Sequence, residues 1–430
     1  MPEFYATKEP DFDAGFQFIE LVKQGNADAL DELLSSDTRL REHIDSCWFA
    51  FGAPAVVCAK RDRAVIDLLL KHGADINARS DWAAGSFGVF EGVDAEQFEF
   101  LVSRGGRATI HNYAEQGDVQ AVSKLIAGDT TLVRSRGGDG QLPLHFASTI
   151  EVCDLLIDAG ADLEVRDIDH EATAAQYQVS NPEICRHLIA RGAVVDIYMA
   201  TALGDQDLVG KILQREPEAI SSRVGHCPHT KISGHIYLWK LNGANTPLEV
   251  ARSFGHEQLY QYLFTRSSPK DQLMAALWDA NRDAVTALLE NNDGLLMELS
   301  DGDKKQLARA AWEDKLEAVR LMLDVGFDPH VRGDDESTPL DRAAFHGHRE
   351  IVQLLLERDN DPPLTWVNSY GGTPLGACVW GSVHGWKKDT DYIGTATLLI
   401  DAGSEIKEVW LPVDKNPEMD RLLRKRLSET

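Results

Sequence analysis

The stretch Ser337–Glu357, STPLDRAAFHGHREIVQLLLE, decides how the whole chain is read. It opens on Thr338-Pro339-Leu340. Proline presets the first turn there, and at the start of a helix it gives up no donor that is needed. Leu340, Ala343 and Ala344 give the short helix that follows a small, apolar face. Gly347-His348 ends it, because glycine takes the positive φ that closes a helix. A second helix is predicted over Glu350–Glu357, with Ile351, Val352, Leu354, Leu355 and Leu356 as its apolar stripe. One such pair cannot bury its own apolar face, whereas a row of pairs can.

This unit resembles the ankyrin repeat, a helix-turn-helix of about 33 residues that starts T-P-L-H-x-A. Working outward, the pattern recurs at Phe16–Leu34, Ala53–Ala78, a degenerate Gly88–Arg107, Ile110–Leu132, Gln141–Val165, Ala172–Asp196 and Tyr198–Ile220. It resumes at Asn245–Thr265, Gln272–Leu296, Gln306–Val331 and Gly372–Ile406, with Thr246-Pro247-Leu248 and Thr373-Pro374-Leu375 repeating the opening. Asn416–Leu427 (NPEMDRLLRKRL), with Pro417 just inside its start, reads as a closing cap. The resemblance therefore implies an all-α fold. It would be an ankyrin-type α-solenoid of about twelve helix-turn-helix units with finger loops and a C-terminal capping helix. The expected division is 1–224 for the N-terminal repeats, 225–243 for an insertion, 244–412 for the C-terminal repeats and 413–430 for the cap.

Composition narrows the partners. Against 43 Lys+Arg stand 69 Asp+Glu, a net charge of −26, which repels phosphate backbones and anionic membranes. Nucleic acid and membrane are excluded on that ground, and a protein segment or a small polar or cationic ligand is expected. No run of about 18 apolar residues exists to span a bilayer. The six cysteines lack paired spacing and read as reduced thiols of a cytoplasmic protein, with Cys58 and Cys185 in helical cores. The acidic start MPEFYATKEPDFDAGF has no apolar core of the secretory type, and residues 1–15 read as a short leader.

In the ankyrin family the concave face is built from fingers and inner helices, and the resemblance implies that residues just before each inter-helix glycine face that groove. In the N-terminal half these are Lys23-Gln24, Lys60-Arg61, Glu91, Glu115-Gln116, Thr149 and Gln178-Val179, a polar set. In the C-terminal half they are Ser253-Phe254, Trp278-Asp279, Trp312-Glu313, Phe345-His346 and Trp380. Large rings thus recur at one site in successive units, either lining a shared wall or wedging between repeats. Fingers add more rings: Trp82 beside Asp81, Tyr237 and Trp239 in the insertion Gly225–Asn242, Trp366 and Tyr370 in Asp361–Gly372, and Trp386 with His384 in Gly381–Tyr392. Ile232–Leu241 has strand character and reads as a hairpin arm. Tryptophan is typical of ligand platforms and interface hot spots.

His226, Cys227, His229 and His235 have zinc-ligand chemistry, but no CxxC or HxxxH spacing, and ordinary loop hydrogen bonding explains them better. No cofactor is expected. Two functions remain. One is a binding protein whose aromatic, acidic groove (Tyr237, Trp239, Phe254, Trp278, Trp312, Phe345, Trp366, Tyr370, Trp380, Trp386) holds a protein segment or polar ligand. The other is a hydrolase or lyase on a carbohydrate-like substrate. There Asp279 and Glu313 would stand at a carboxylate separation of about 6.5–9.5 Å, with His346 or His384 as acid or base.

Overall fold

The structure, a computed structural model, describes residues 8–231, 234–333, 335–387, 390–413 and 415–429. Among them no β-strand occurs, and the twelve expected units are helix pairs everywhere but the third, which supplies one helix, Ala95–Ser103. The row runs from Asp13–Gln24 with Ala27–Ser36 to Pro374–His384 with Tyr392–Asp401. It ends on the cap Pro417–Glu429, whose Met419 and Leu423 are wholly buried. No helix among the described residues is long and apolar enough to cross a membrane. The chain packs as two compact units, Met1–Leu263 and Phe264–Thr430.

Local rules explain the pairs. Thr338 caps Pro339–Phe345 by accepting from the Asp341 amide at 3.2 Å, and the Asp341 carboxylate accepts from the Thr338 amide at 2.8 Å. Such a reciprocal box satisfies donors that a helix start otherwise leaves open. Alanines on the first helices, such as Ala310, Ala311, Ala343 and Ala344, are buried and let neighbouring helices approach closely. The second helices then bury their stripes, Val319 and Met322 in one unit and Ile351, Val352 and Leu355 in the next. In the first unit Phe18, Leu30, Leu34, Val56, Ile66, Leu69 and Leu101 form the corresponding core.

Three expectations change. Cys58 is exposed, because its short helix Ala55–Cys58 ends there, whereas Cys185 is buried as expected; all six cysteines are free. The insertion carries a helical turn, Tyr237–Lys240, in place of a strand, while Ile232 and Ser233 lie outside the described residues. The insertion also lies down on its neighbours rather than standing as an arm. Gln176 donates to the His229 carbonyl at 3.1 Å, and the Tyr237 hydroxyl donates to Asp196 at 2.7 Å.

Candidate aromatic binding surface

Trp278 and Trp312 are the last residues of Pro269–Trp278 and Gln306–Trp312, and Phe345 is the last of Pro339–Phe345. Two residues on, each chain turns through a left-handed residue: Ala280 at φ 54, Asp314 at φ 59 and Gly347 at φ 66. The same backbone stop therefore points three rings from equivalent positions. Trp380 stands seven residues after its capping Thr373, as Phe345 does after Thr338. There, however, the helix runs on to His384, and the following loop returns toward the preceding units.

That return assembles the site. Trp312 and Phe345 stack at 5.4 Å and 12°. Trp386 lies across both, 5.9 Å from each, and 5.1 Å edge-on to His346. His346 lies 4.1 Å from the Trp312 ring and is wholly buried, with neither ring nitrogen hydrogen-bonded among the described residues. Burial first, then the nearby Lys387, His348 and Arg342 charges, push its pKa down to about 3. The next residue of the finger, Lys387, donates to the Trp312 carbonyl and pairs with Glu313 at 3.5 Å. His348 donates to the same carbonyl at 3.2 Å and pairs with Asp314 at 3.4 Å.

Cations cover the tryptophan faces. Arg342 lies 4.7 Å over Trp312, Arg309 and Lys315 lie 4.2 and 4.9 Å over Trp278, and Arg332 lies 4.7 Å over Trp366. The ring quadrupole that would attract a cationic ligand is thus met by the chain's own side chains. Arg342 is itself held by Asp335 at 2.8 Å.

The remaining candidates disperse. Trp380 is 60 % exposed and pairs with the exposed His384 at 4.0 Å; Tyr370 is 75 % exposed. Trp366 faces His330 at 5.4 Å, and half-buried Phe254 stacks on His256 at 6.4 Å. Asp279 and Glu313 are the residues at which their helices end. In the insertion, Trp239 is exposed against His170 at 5.0 Å. Tyr237 is wholly buried, so it serves the core, and Trp82 is nearly buried with its indole donating to Asp139 at 3.1 Å.

His226, Cys227, His229 and His235 do not come together as ligands. His229 meets Glu216 at 3.3 Å and the Cys227 sulfur meets Thr230 at 3.3 Å. Buried His235 accepts from the Tyr237 amide at 3.2 Å. Among the described residues, the trio whose ligand atoms lie within 4.8 Å of one another is Asp139, Asp169 and His170, which sequence spacing did not single out. His170 donates from Nδ1 to the Gly234 carbonyl at 2.7 Å and pairs through Nε2 with Asp139 at 3.7 Å. Also missed were Arg342 and Lys387, whose importance depends on contacts far along the chain.

Known proteins share parts of this chain. The family profile for ankyrin repeats in three copies matches residues 307–408, and the single ankyrin repeat matches 139–168. Over 249 residues, half of this chain, it is 26% identical to the Ankyrin repeat and KH domain-containing protein mask-1 of Caenorhabditis elegans, 10% of which is covered. Over 88 residues it is 38% identical to the Serine/threonine-protein kinase VIK of Arabidopsis thaliana, covering 20% of each. The chain thus spans only a small part of the length of these relatives.

Proposed function

Because the chain is an ankyrin repeat protein, and such repeats are protein-interaction modules, we propose that its second unit binds a protein segment at the surface made by Trp312 and Phe345, over which the Trp386 finger lies. The observation that carries this reading is the convergence of three rings from three successive repeats, one of them, Trp386, left 66 % exposed. A stack of large rings this close to water is typical of an interface hot spot. The cations already lying on the tryptophan faces favour a peptide partner over a small cationic ligand. The hydrolase or lyase alternative fares worse: His346 is roofed by Trp386 and Glu313 is engaged by Lys387. The six free thiols accord with a cytoplasmic setting.

The test is a random-peptide selection on the full chain, followed by titration of the selected peptides. Trp312→Ala is expected to weaken binding by about 2 kcal/mol, roughly thirtyfold, as for a central anchor. Trp380→Ala, outside the ring cluster, is expected to change it by less than about 0.5 kcal/mol. Selected peptides that bind Trp312→Ala as tightly as the parent would overturn the reading, provided the variant keeps its circular dichroism spectrum.

A further inference from the structure

The finger after His384 belongs to the last repeat, yet its tip lies on the two repeats before it. Lys387 reaches the Trp312 carbonyl 75 residues back along the chain. Its base is pinned: the Asp391 amide donates to the Gly347 carbonyl at 3.0 Å, and Gly381 lies so close to the Phe345 carbonyl that an added Cβ would stand 1.9 Å from its oxygen. Among the described residues, the tip is held by Trp386 and Lys387. Trp386 covers His346 with one side while two thirds of its surface stays in water, which is a poor arrangement for a packing residue. Beneath it, both nitrogens of His346 lack hydrogen-bond partners among the described residues. A buried imidazole left that way makes the present cover chemically incomplete. Beside the ring, the Lys387 ammonium reaches the Trp312 carbonyl, which it shares with His348, and the Glu313 carboxylate.

Resting on the binding role argued above, we propose that Trp386 and Lys387 occupy the place of a partner's aromatic–basic dipeptide, so that the finger is a built-in competitor for the Trp312–Phe345 surface. The partner chemistry follows from what the finger now satisfies and what it does not. An aromatic ring lies across Trp312 and Phe345, and a following ammonium goes to Glu313, favoured by a chain of net charge −26. A better occupant than the finger also brings a polar group to His346. The finger then sets a threshold: only a segment that outcompetes a tethered copy of the same chemistry binds.

The probe is a fluorescein-labelled, capped peptide of Ser382–Lys387, SVHGWK, titrated by anisotropy against the full chain and against Trp386→Ala/Lys387→Ala. A short tether gives the finger an effective concentration of about millimolar, so a probe of about 0.1 mM affinity is weakened about tenfold in the parent. The expected result is therefore about tenfold tighter binding to the double variant, lost again when Lys in the probe is replaced by Glu. Lys387→Glu alone, which keeps the tryptophan but reverses the charge facing Glu313, is expected to bind the probe more tightly than the parent. Equal affinity for parent and double variant, or no binding to either, overturns the competitor idea while leaving the binding role to the library experiment. If library-selected peptides instead lose affinity in Trp386→Ala, the ring is a contact and not a competitor. If those peptides ignore Trp312→Ala, the binding role itself fails.

Discussion

The two units treat the same position of the repeat, just before the inter-helix turn, in opposite ways. In the first, the residues at the ends of the first helices use their polarity on a neighbouring repeat's backbone, the next one or the one before. Lys60 donates to the Glu91 carbonyl, Arg61 to Gly92 at 2.6 Å, Gln116 to Val93 at 3.0 Å and Gln178 to Ala147 at 3.0 Å. In the second, Trp312 and Phe345 stack on each other beside an imidazole with no hydrogen-bond partner among the described residues. A ladder of side chain–backbone bonds adds stability and leaves little to offer a ligand. A ring stack with an unsatisfied group below leaves binding potential unspent. On the binding role proposed above, recognition falls to the second unit and support to the first.

Acid gives the largest expected effect. His145 in the first unit and His346 in the second are both buried, and burial pushes them down to about 4 and about 3 from the ordinary 6.5. Between those values the unfolded chain binds the protons and the folded chain does not, so stability falls as pH drops below about 6.5. At pH 4 each histidine accounts for a loss of roughly 3 kcal/mol. Urea titrations of the parent and of His346→Leu at pH 7 and pH 4 check this, since the variant lacks that share of the loss.

Next in size is a pair of substitutions with opposite signs. His145 accepts from the Leu142 amide at 3.1 Å and donates to the Ala172 carbonyl at 3.1 Å. His145→Leu strands both groups and is expected to destabilise the chain by about 3 kcal/mol at pH 7. His346→Leu removes two unsatisfied nitrogens and strands nothing, so a gain of about 1 kcal/mol is expected. Equal losses from both would erase the distinction between the units.

The smallest effect concerns the turns. The first unit uses Gly25, Gly117 and Gly204 at its left-handed stops, whereas Ala280 adopts φ 54 in the second. Ala280→Gly removes that strain and is expected to raise stability by about 1 kcal/mol, read as an upward shift in melting temperature. No gain would mean that neighbouring contacts already offset the strain.

Much of the site was legible one repeat at a time. The recurrence of a ring just before each turn, Trp278, Trp312 and Phe345, follows from capping and turn residues within about ten positions. Which rings meet does not. Trp386 and Trp380 carry the same aromatic signal, yet only the first returns over Trp312, because the helix after Thr373 runs past the usual stop. Tyr237 looked like a finger ring, but its hydroxyl is claimed by Asp196, 41 residues away. Arginine and lysine lie over the faces of Trp278 and Trp312, contacts that the residues before each turn do not reveal.

The amino-acid order by itself determined the helix pairs, their caps and the stacking of repeats, because hydrogen bonds and apolar stripes of period 3.6 act between near neighbours. Only the tertiary structure decided that one finger folds back to cover His346 and bring Lys387 to Glu313. Contacts across 75 residues depend on where the stacked repeats carry each loop, and that path is a property of the assembled array.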